Sequence, residues 1–230
     1  MKKPAREAFV GVWALRAPPS EPSGVLGVAS MAATTASLPE VTFSGKSLIT
    51  LPVPYFCQRD SATWRGQRMC FSSTCAMVAA YLKPGCLAGS GQPDDRYLAL
   101  VERFGDTTNS QAQVAALQRL GIEATFRTDG RIEQLIAQLR LGFPIPVGWL
   151  HHGPASAPRG GGHWSLVVGW DPATRQVIMH DPYGEADLVA GGYVSTAIGS
   201  GRAQRYSERN WGRRWMVEGV GSGWWLELGG

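Results

Sequence analysis

Apolar residues fill nearly every position from Cys75 to Leu82, directly after two serines and a threonine. An α-helix with this pattern has no polar face and must be buried on all sides. The Ser and Thr residues from Ser72 onward offer caps for its start. Lys83-Pro84-Gly85 then supplies a cation, a helix breaker and a flexible residue at its end. The pattern predicts a buried central helix from Ser72 to Leu82.

The rest of the chain alternates between helical and strand periods. Apolar residues recur at helical spacing in three segments, which predict amphipathic helices: Asp95 to Phe104, Gln111 to Leu120 and Arg131 to Leu141. Alternating apolar residues predict an extended edge segment and two strands: Leu51 to Tyr55, Ile122 to Phe126 and Ile145 to Trp149. Helices precede most of an antiparallel sheet, which is the order of an α+β fold.

The strongest hairpin pattern joins His163–Gly169 to Gln176–Asp181. A hairpin symmetric about Pro172 pairs Val167 with Val177 and His163 with Asp181. Directly opposed Cβ atoms lie about 4.5–5.5 Å apart, so the carboxylate could hold one imidazole nitrogen and set its tautomer. By the same parity, His180 points to the other face. A register slip of one residue would remove the predicted contact.

Length and composition limit the number of domains. At about 150 residues per domain, 230 residues allow one domain with an appendage. Nine Trp and only 17% charged residues indicate a globular protein and exclude a coiled coil or collagen. Residues 1–48 contain a Pro-rich part and an Ala/Ser/Thr stretch without a sustained period, and we interpret them as an N-terminal arm or linker. Residues 49–230 are then the folded domain.

Two features of the arm leave open how the chain begins. Met31 could be the original start, and Met1-Lys2-Lys3 before an apolar run is similar to a signal peptide, although Glu7 breaks that pattern. The run from Ala8 to Leu15 is far shorter than the roughly 20 residues of a membrane helix. No membrane span is predicted.

The net charge of +4 comes mostly from scattered Arg residues and favours anionic surroundings only weakly. Arg213-Arg214 between tryptophans could bind nucleic acid, but surface arginines beside packed aromatics are the preferred interpretation, so no nucleic-acid partner is predicted. Trp224-Trp225 could stack on sugars, but closure of the core is preferred. We expect His151-His152 to be exposed, because neighbours on an extended chain point oppositely, and we predict no metal site.

The four cysteines, which are Cys57, Cys70, Cys75 and Cys86, lack the spacing of a zinc site and do not belong to a short secreted chain. The start of a helix favours a thiolate, since unsatisfied amides and partial positive charge lie there. Cys70 sits immediately before the predicted central helix, whereas Cys75 lies inside it. Upstream, Gln58 could donate a side-chain N–H to an oxyanion, as acyl transfer through a thioester requires.

The order of Gln58, Cys70, His163 and Asp181 resembles that of the papain-like cysteine peptidases of family thirty-nine, which include bacteriocin leader peptidases and many bacterial and phage domains. Four blocks carry the resemblance, from about Leu51 to Gly184: Val53–Gln58, Ala76–Val78, Gly162–Trp164 and Asp181–Gly184. It implies a papain-like fold with the central helix packed on the antiparallel sheet.

The resemblance also implies roles for individual residues. These are Gln58 as oxyanion donor, Cys70 as nucleophile, His163 as general base and Asp181 as orienting acid. We further expect Gly162 and Trp164 to contact substrate, and the expected chemistry requires no cofactor. The chain departs from the family where Phe71-Ser72, rather than Gly-Pro, follows the nucleophile and where Cys57 replaces a small residue. These departures concern the subfamily and the substrate more than the nucleophile.

The expected function is that of a cysteine peptidase or amidase. The tail from Tyr206 to Trp224 is similar to the ends of phage-encoded members. This favours peptidoglycan peptides as substrate, a location in a virion or at the bacterial envelope, and virion or tail partners for residues 1–48. Three alternatives stay open: a leader-peptide protease, a non-catalytic peptide-binding or structural virion module, and a transglutaminase-like acyl transferase.

Overall fold

Five α-helices lie in residues 47–229, the part of the chain that the computed structural model describes. They are α1 (Cys70–Leu82), α2 (Pro93–Val101), α3 (Ser110–Arg119), α4 (Ile132–Arg140) and α5 (Glu208–Trp215). A 3-10 turn covers Gln58–Asp60. The arm predicted for residues 1–48 lies outside the described residues except for its last two positions, and so do Met31 and the run from Ala8 to Leu15.

Nine strands of the same part of the chain form one large sheet and one small ribbon. The strands are β1 (Ile49–Thr50), β2 (Glu123–Gly130), β3 (Ile145–Trp149), β4 (His163–Asp171), β5 (Gln176–His180), β6 (Glu185–Ala186), β7 (Tyr193–Ser195), β8 (Gln204–Ser207) and β9 (Gly223–Gly229). The sheet runs in the order β2-β9-β3-β4-β5-β8, with β1 added on β4, and β6 pairs with β7. All pairs are antiparallel, so the predicted α+β class is confirmed.

Helix α1 is buried against the sheet and the other helices, as its apolar sequence predicts. It begins two residues earlier than predicted, because Ser72, Ser73 and Thr74 do not cap it. Their hydroxyls are buried and bond to three other parts of the molecule: Ser72 to Thr107, Ser73 to Asp94 and Thr74 to the Trp164 carbonyl. The start of the helix is therefore fixed by long-range contacts.

The hairpin of β4 and β5 has a different register from the predicted one. Val167 pairs with Met179, not Val177, and a bulge separates this pair from that of Gly169 with Ile178. At the turn, where Asp171 pairs with Gln176, the register differs by three residues from a hairpin symmetric about Pro172, and the bulge takes up one of these three. At Val167 and Leu166, the pairs on the His163 side of the bulge, the slip is two residues, an even number that leaves each side chain on its predicted face.

Strand β9, which the sequence patterns did not reveal, inserts between β2 and β3. Trp225 in this strand is buried, which agrees with core closure. Arg214 is a correction: it is fully buried rather than a surface arginine, because its guanidinium donates to four main-chain carbonyls, those of Leu150, His152, Gly153 and Leu188. Among the described residues, no helix has both the length and the apolarity to cross a membrane.

Candidate active site

Cys70 is the first residue of α1 and is half-buried, with its thiol beside the His163 ring. As the first residue of a helix, it also has a backbone N–H without an intrahelical acceptor. Cys57 and Cys75 are buried, and burial raises the pKa of the Cys75 thiol far above its usual range. All four cysteines are free thiols. Of these, Cys70 alone contacts an imidazole that is itself held by a carboxylate.

His163 begins β4 and Asp181 directly follows β5. The His163 Nε2 atom donates to Asp181 Oδ1 over 2.7 Å, and both side chains are buried. Because Nε2 is occupied, Nδ1 is the ring nitrogen left for the Cys70 thiol. The contact predicted from the hairpin is present although the predicted register is wrong, since the even slip kept both side chains on one face.

The Asp181 carboxylate accepts three further hydrogen bonds. The Tyr183 and Gly184 amides donate to Oδ1 over 2.8 and 3.4 Å, and the Ser165 hydroxyl donates to Oδ2 over 3.2 Å. Trp149 Nε1 donates in turn to the Ser165 hydroxyl over 3.1 Å. Sequence reasoning missed Ser165, although its position two residues after His163 places it on the same strand face.

Charges on either side of His163 determine its protonation. Burial lowers the pKa of the imidazole, but the Asp181 carboxylate and the Cys70 thiol outweigh this effect and raise the pKa to about 10. A pKa raised in this way favours an imidazolium at neutral pH. The site can therefore hold a positive ring between a carboxylate and a sulfur atom.

Gln58 lies in the 3-10 turn and is only 1% exposed. Its backbone N–H donates to the Pro182 carbonyl over 2.9 Å, which ties it to the turn after Asp181. Its side-chain Nε2 donates to the Gly66 carbonyl over 2.7 Å. An amide nitrogen carries two hydrogens, so the second N–H is available to a ligand.

The two residues that flank His163 differ in position. Gly162 directly precedes β4 with φ of +87°, a conformation that favours glycine. Trp164 lies in the core instead of facing substrate: it is 4% exposed, and its ring is stacked on that of Phe71 at 3.5 Å. Alternation along β4 explains this, because successive side chains point to opposite faces of the sheet.

His151 contradicts the expectation that both neighbouring histidines are exposed. Its ring centre is 5.2 Å from that of His163, and its Nδ1 atom is buried with no hydrogen-bond partner among residues 47–229. Burial and the nearby His163 lower the pKa of His151 to about 3, so it is neutral. His152 is exposed, but the two rings lie 3.9 Å apart because this segment continues past the end of β3, where strand alternation no longer applies.

Two tyrosines complete the surroundings of the His163 imidazole. The ring centres of Tyr183 and Tyr193 lie 6.4 and 5.9 Å from that of His163. Burial raises the pKa of Tyr193 well above its usual range, so its hydroxyl is neutral. Within the described part of the chain, no group of three His, Cys, Asp or Glu side chains could hold a metal ion.

The site thus contains one series of contacts, from the half-buried thiol of Cys70 through the imidazole of His163 to the buried carboxylate of Asp181. The side-chain amide of Gln58 is a further hydrogen-bond donor. The model of the Peptidase_C39 like family matches residues 50–207, which is more than half of the chain and contains all four of these residues. The chain belongs to the Peptidase_C39 like family. The resemblance to family thirty-nine and its papain-like fold is confirmed.

Solved structures similar to this Peptidase_C39 like chain share little sequence with it. The peptidase domain of Streptococcus ComA, a bifunctional ABC transporter of a quorum-sensing pathway, is 18% identical over 70% of this chain and 91% of its own, with a TM-score of 0.45. A double glycine motif protease from an AMS/PCAT transporter, in complex with the leader peptide, is 16% identical over 78% and 92%, with a TM-score of 0.45.

A protein described as a C39-like peptidase from Bacillus anthracis is 15% identical over 80% of this chain and 98% of its own, with a TM-score of 0.46. No curated protein matches the chain significantly. Family membership therefore rests on the family model and not on a near relative.

Proposed function

We propose that this chain is a cysteine peptidase in which Cys70 is the nucleophile, His163 the general acid and base, and Asp181 the residue that orients His163. The Cys70 sulfur attacks a peptide carbonyl carbon, and the C–N bond breaks as His163 gives a proton to the departing amine. Water then hydrolyses the thioester while His163 accepts a proton from it. The net reaction consumes one water molecule and yields an acid and an amine.

Gln58 and the Cys70 amide would stabilise the oxyanion formed during attack. The Gln58 side chain has one N–H left after its bond to Gly66, and the first amide of α1 has no acceptor in the helix. Donors fixed before the reaction stabilise developing charge without reorganisation. The hydrogen bond of Gln58 to Gly66 supplies that fixation.

One observation carries the proposal: His163 Nε2 is bonded to a buried carboxylate while the same ring contacts the thiol at the start of α1. Here the ring links an anion on one side to a nucleophile on the other, which is the arrangement that proton transfer to and from sulfur requires.

The substrate class we propose is the peptide stems of bacterial cell wall. A net charge of +4 and a sequence pI near 9.0 suit a substrate that carries many carboxylates. Residues 1–48 would then serve as the attachment to a wall or virion. This role rests on sequence alone, since that arm lies almost wholly outside the described residues.

Purified peptidoglycan incubated with the full chain tests the proposal through the release of new amino groups. We expect release by the wild type and none by Cys70→Ala. The Cys86→Ala variant is the matched control, because Cys86 is a free thiol in the turn after α1 and the variant should retain activity.

A leader-peptide substrate added to a parallel reaction distinguishes the two peptidase functions. Cleavage of that peptide with an intact cell wall would replace the proposed substrate but keep the proposed chemistry. If Cys70→Ala releases as many amino groups as the wild type, or if no peptide bond is cut in any substrate, the peptidase proposal is wrong and a binding module on the same fold becomes the better account.

A further inference from the structure

Arg59, the residue after Gln58, is an exposed cation beside the candidate active site. Its guanidinium carbon lies 5.1 Å from the centre of the Tyr183 ring, which is a cation–π contact. Among residues 47–229, Arg59 makes no ion pair. Asp60 follows it in the sequence and Glu185 lies close to Tyr183 in the sequence, but neither carboxylate is paired with the Arg59 guanidinium. Its N–H donors are free for a ligand.

Tyr183 is held in place from both sides. Its hydroxyl donates to Gln67 Oε1 over 3.3 Å, which leaves the NH₂ group of the Gln67 amide available as a second donor. Arg59, Gln67 and Tyr183 therefore form a surface with several N–H donors and no negative charge of its own, which we call the Arg59 ledge. A planar guanidinium supported by a ring matches the geometry of a carboxylate.

His163 indicates where the Arg59 ledge lies relative to the leaving group. In the proposed function, this imidazole protonates the departing amine, so the leaving group lies on its side of the sulfur atom. The Tyr183 ring centre is 6.4 Å from that of His163. Because an extended residue spans about 3.3–3.6 Å, these two distances place the Arg59 guanidinium within the length of about three to four residues of the His163 ring.

We propose that the Arg59 ledge binds a carboxylate of the substrate on the leaving-group side of the scissile bond. The inference rests on the proposed function and adds a substrate class to it, namely peptides with an acidic group within about three residues after the cleaved bond. The neighbouring arginines on the same loop support the choice of Arg59. Arg65 and Arg68 are already paired with acidic side chains and are therefore less available to a substrate carboxylate than Arg59 is.

A matched pair of alkylating peptides tests the ledge without knowledge of the natural substrate. The probes are bromoacetyl-Gly-Gly with a free carboxylate and the same peptide with a C-terminal amide. Each places its bromomethyl carbon at Cys70 and its glycines on the leaving-group side, and the sulfur forms a bond to that carbon as the C–Br bond breaks and bromide leaves. The measured quantity is the ratio of the two rates at Cys70, located by mass spectrometry.

We expect the ratio of acid to amide to fall about threefold in Arg59→Gln, as an exposed ion pair of under 1 kcal/mol implies. It should fall further in Arg59→Glu, and high salt should reduce the ratio of the wild type. Arg140→Gln is the matched control. This exposed arginine at the end of α4 makes no ion pair among the described residues. It lies before the start of β3, whereas His163 pairs with the opposite end of that strand.

The outcomes separate the two claims. If Cys70 reacts with both probes but the ratio is the same in wild type, Arg59→Gln and Arg59→Glu, the ledge is refuted while the nucleophile stands. If Cys70 reacts with neither probe, the proposed function fails and the ledge fails with it. A ratio that falls equally in Arg140→Gln would show a general effect of net charge and would also refute the ledge.

Discussion

At the scale of single residues, His163 depends on two neighbours for its charge and its orientation. Asp181 occupies Nε2 and Cys70 contacts the same ring, and together they raise the pKa of an imidazole that burial alone would lower. Ser165 and the amides after Asp181 satisfy the carboxylate, so it can stay buried without a counter-ion of permanent charge. The proton on His163 is thus stabilised by contacts on both strands of one hairpin.

The titration of His163 can be measured directly, because the chain has only four histidines to assign. By NMR, we expect His163 to stay protonated at neutral pH and to lose its proton near pH 10. In Asp181→Asn the midpoint should fall by about one unit or more, since the attracting negative charge is gone. An unchanged midpoint in this variant would show that Asp181 does not control the imidazole.

Gln58→Ala should separate activity from stability. Loss of an oxyanion donor lowers kcat by about 10²–10³-fold. The free energy of unfolding should fall by only about 1–2 kcal/mol, because the substitution leaves the Gly66 carbonyl without its donor but also removes a buried Oε1 atom that has no partner among the described residues. Amino-group release and thermal unfolding measure the two quantities, and a parallel loss of both would contradict an oxyanion role.

At the scale of elements, the start of α1 is fixed by polar contacts inside an apolar environment. Ser73 donates to Asp94 Oδ2 over 2.6 Å, which joins the first turn of α1 to the first turn of α2. Burial raises the pKa of Asp94 to about 6, although the Ser73 hydrogen bond opposes this. Cys70 therefore lies one turn from a residue that bonds to a carboxyl group whose pKa is raised to about 6.

Asp94 makes stability depend on pH in a predictable direction. Its pKa in the folded chain is above the unfolded value, so its contribution is fully present below about pH 4 and is lost as the pH rises through 6. Asp94→Asn should remove this slope and stabilise the fold at pH 7 by on the order of 1–2 kcal/mol. Urea unfolding at several pH values measures the effect.

Glu133→Gln is the control for that measurement. Glu133 is an exposed acid in the first turn of α4. Its substitution therefore removes a negative charge from the start of a helix, as Asp94→Asn does, but at a position that is not buried. We expect this variant to keep the slope between pH 4 and 6. The same slope in Asp94→Asn and the wild type would show that Asp94 is not its source.

The elements also show which structure was predictable from the sequence. Helix α1 and the hairpin strands could be predicted because local apolar patterns and turn residues determine them. The bulge in β4 could not, because it depends on how the strands twist and pair. The same limit applies to His151, which reaches His163 only because the chain bends after β3.

At the scale of the whole molecule, the end of the chain completes the fold. Strand β9 pairs with β2 and β3, and Arg214 in α5 joins this region to the loops after β3 and β6. No local pattern shows which strands a C-terminal segment will join, since its partners lie about 75 to 105 residues earlier. The four site residues could be predicted without that information, because their order and flanking motifs carry the family resemblance.

Arg214→Met should destabilise the entire domain. The change leaves four main-chain carbonyls without their buried donor, which we expect to cost about 2–4 kcal/mol and lower Tm by roughly 5–15 °C. Arg213→Met is the neighbouring control, as Arg213 is exposed and should change stability by less than about 0.5 kcal/mol. Equal Tm values for the two variants would contradict a structural role for Arg214.

The most direct test of the account is the rate at which iodoacetamide alkylates Cys70 at pH 6, with the labelled residue identified by mass spectrometry. Free cysteine is almost wholly protonated at that pH and reacts slowly. If His163 and Asp181 support a thiolate at the start of α1, Cys70 should react at least about tenfold faster than free cysteine and lose this advantage in His163→Ala. A Cys70 that reacts no faster than free cysteine, or equally fast without His163, would contradict the account.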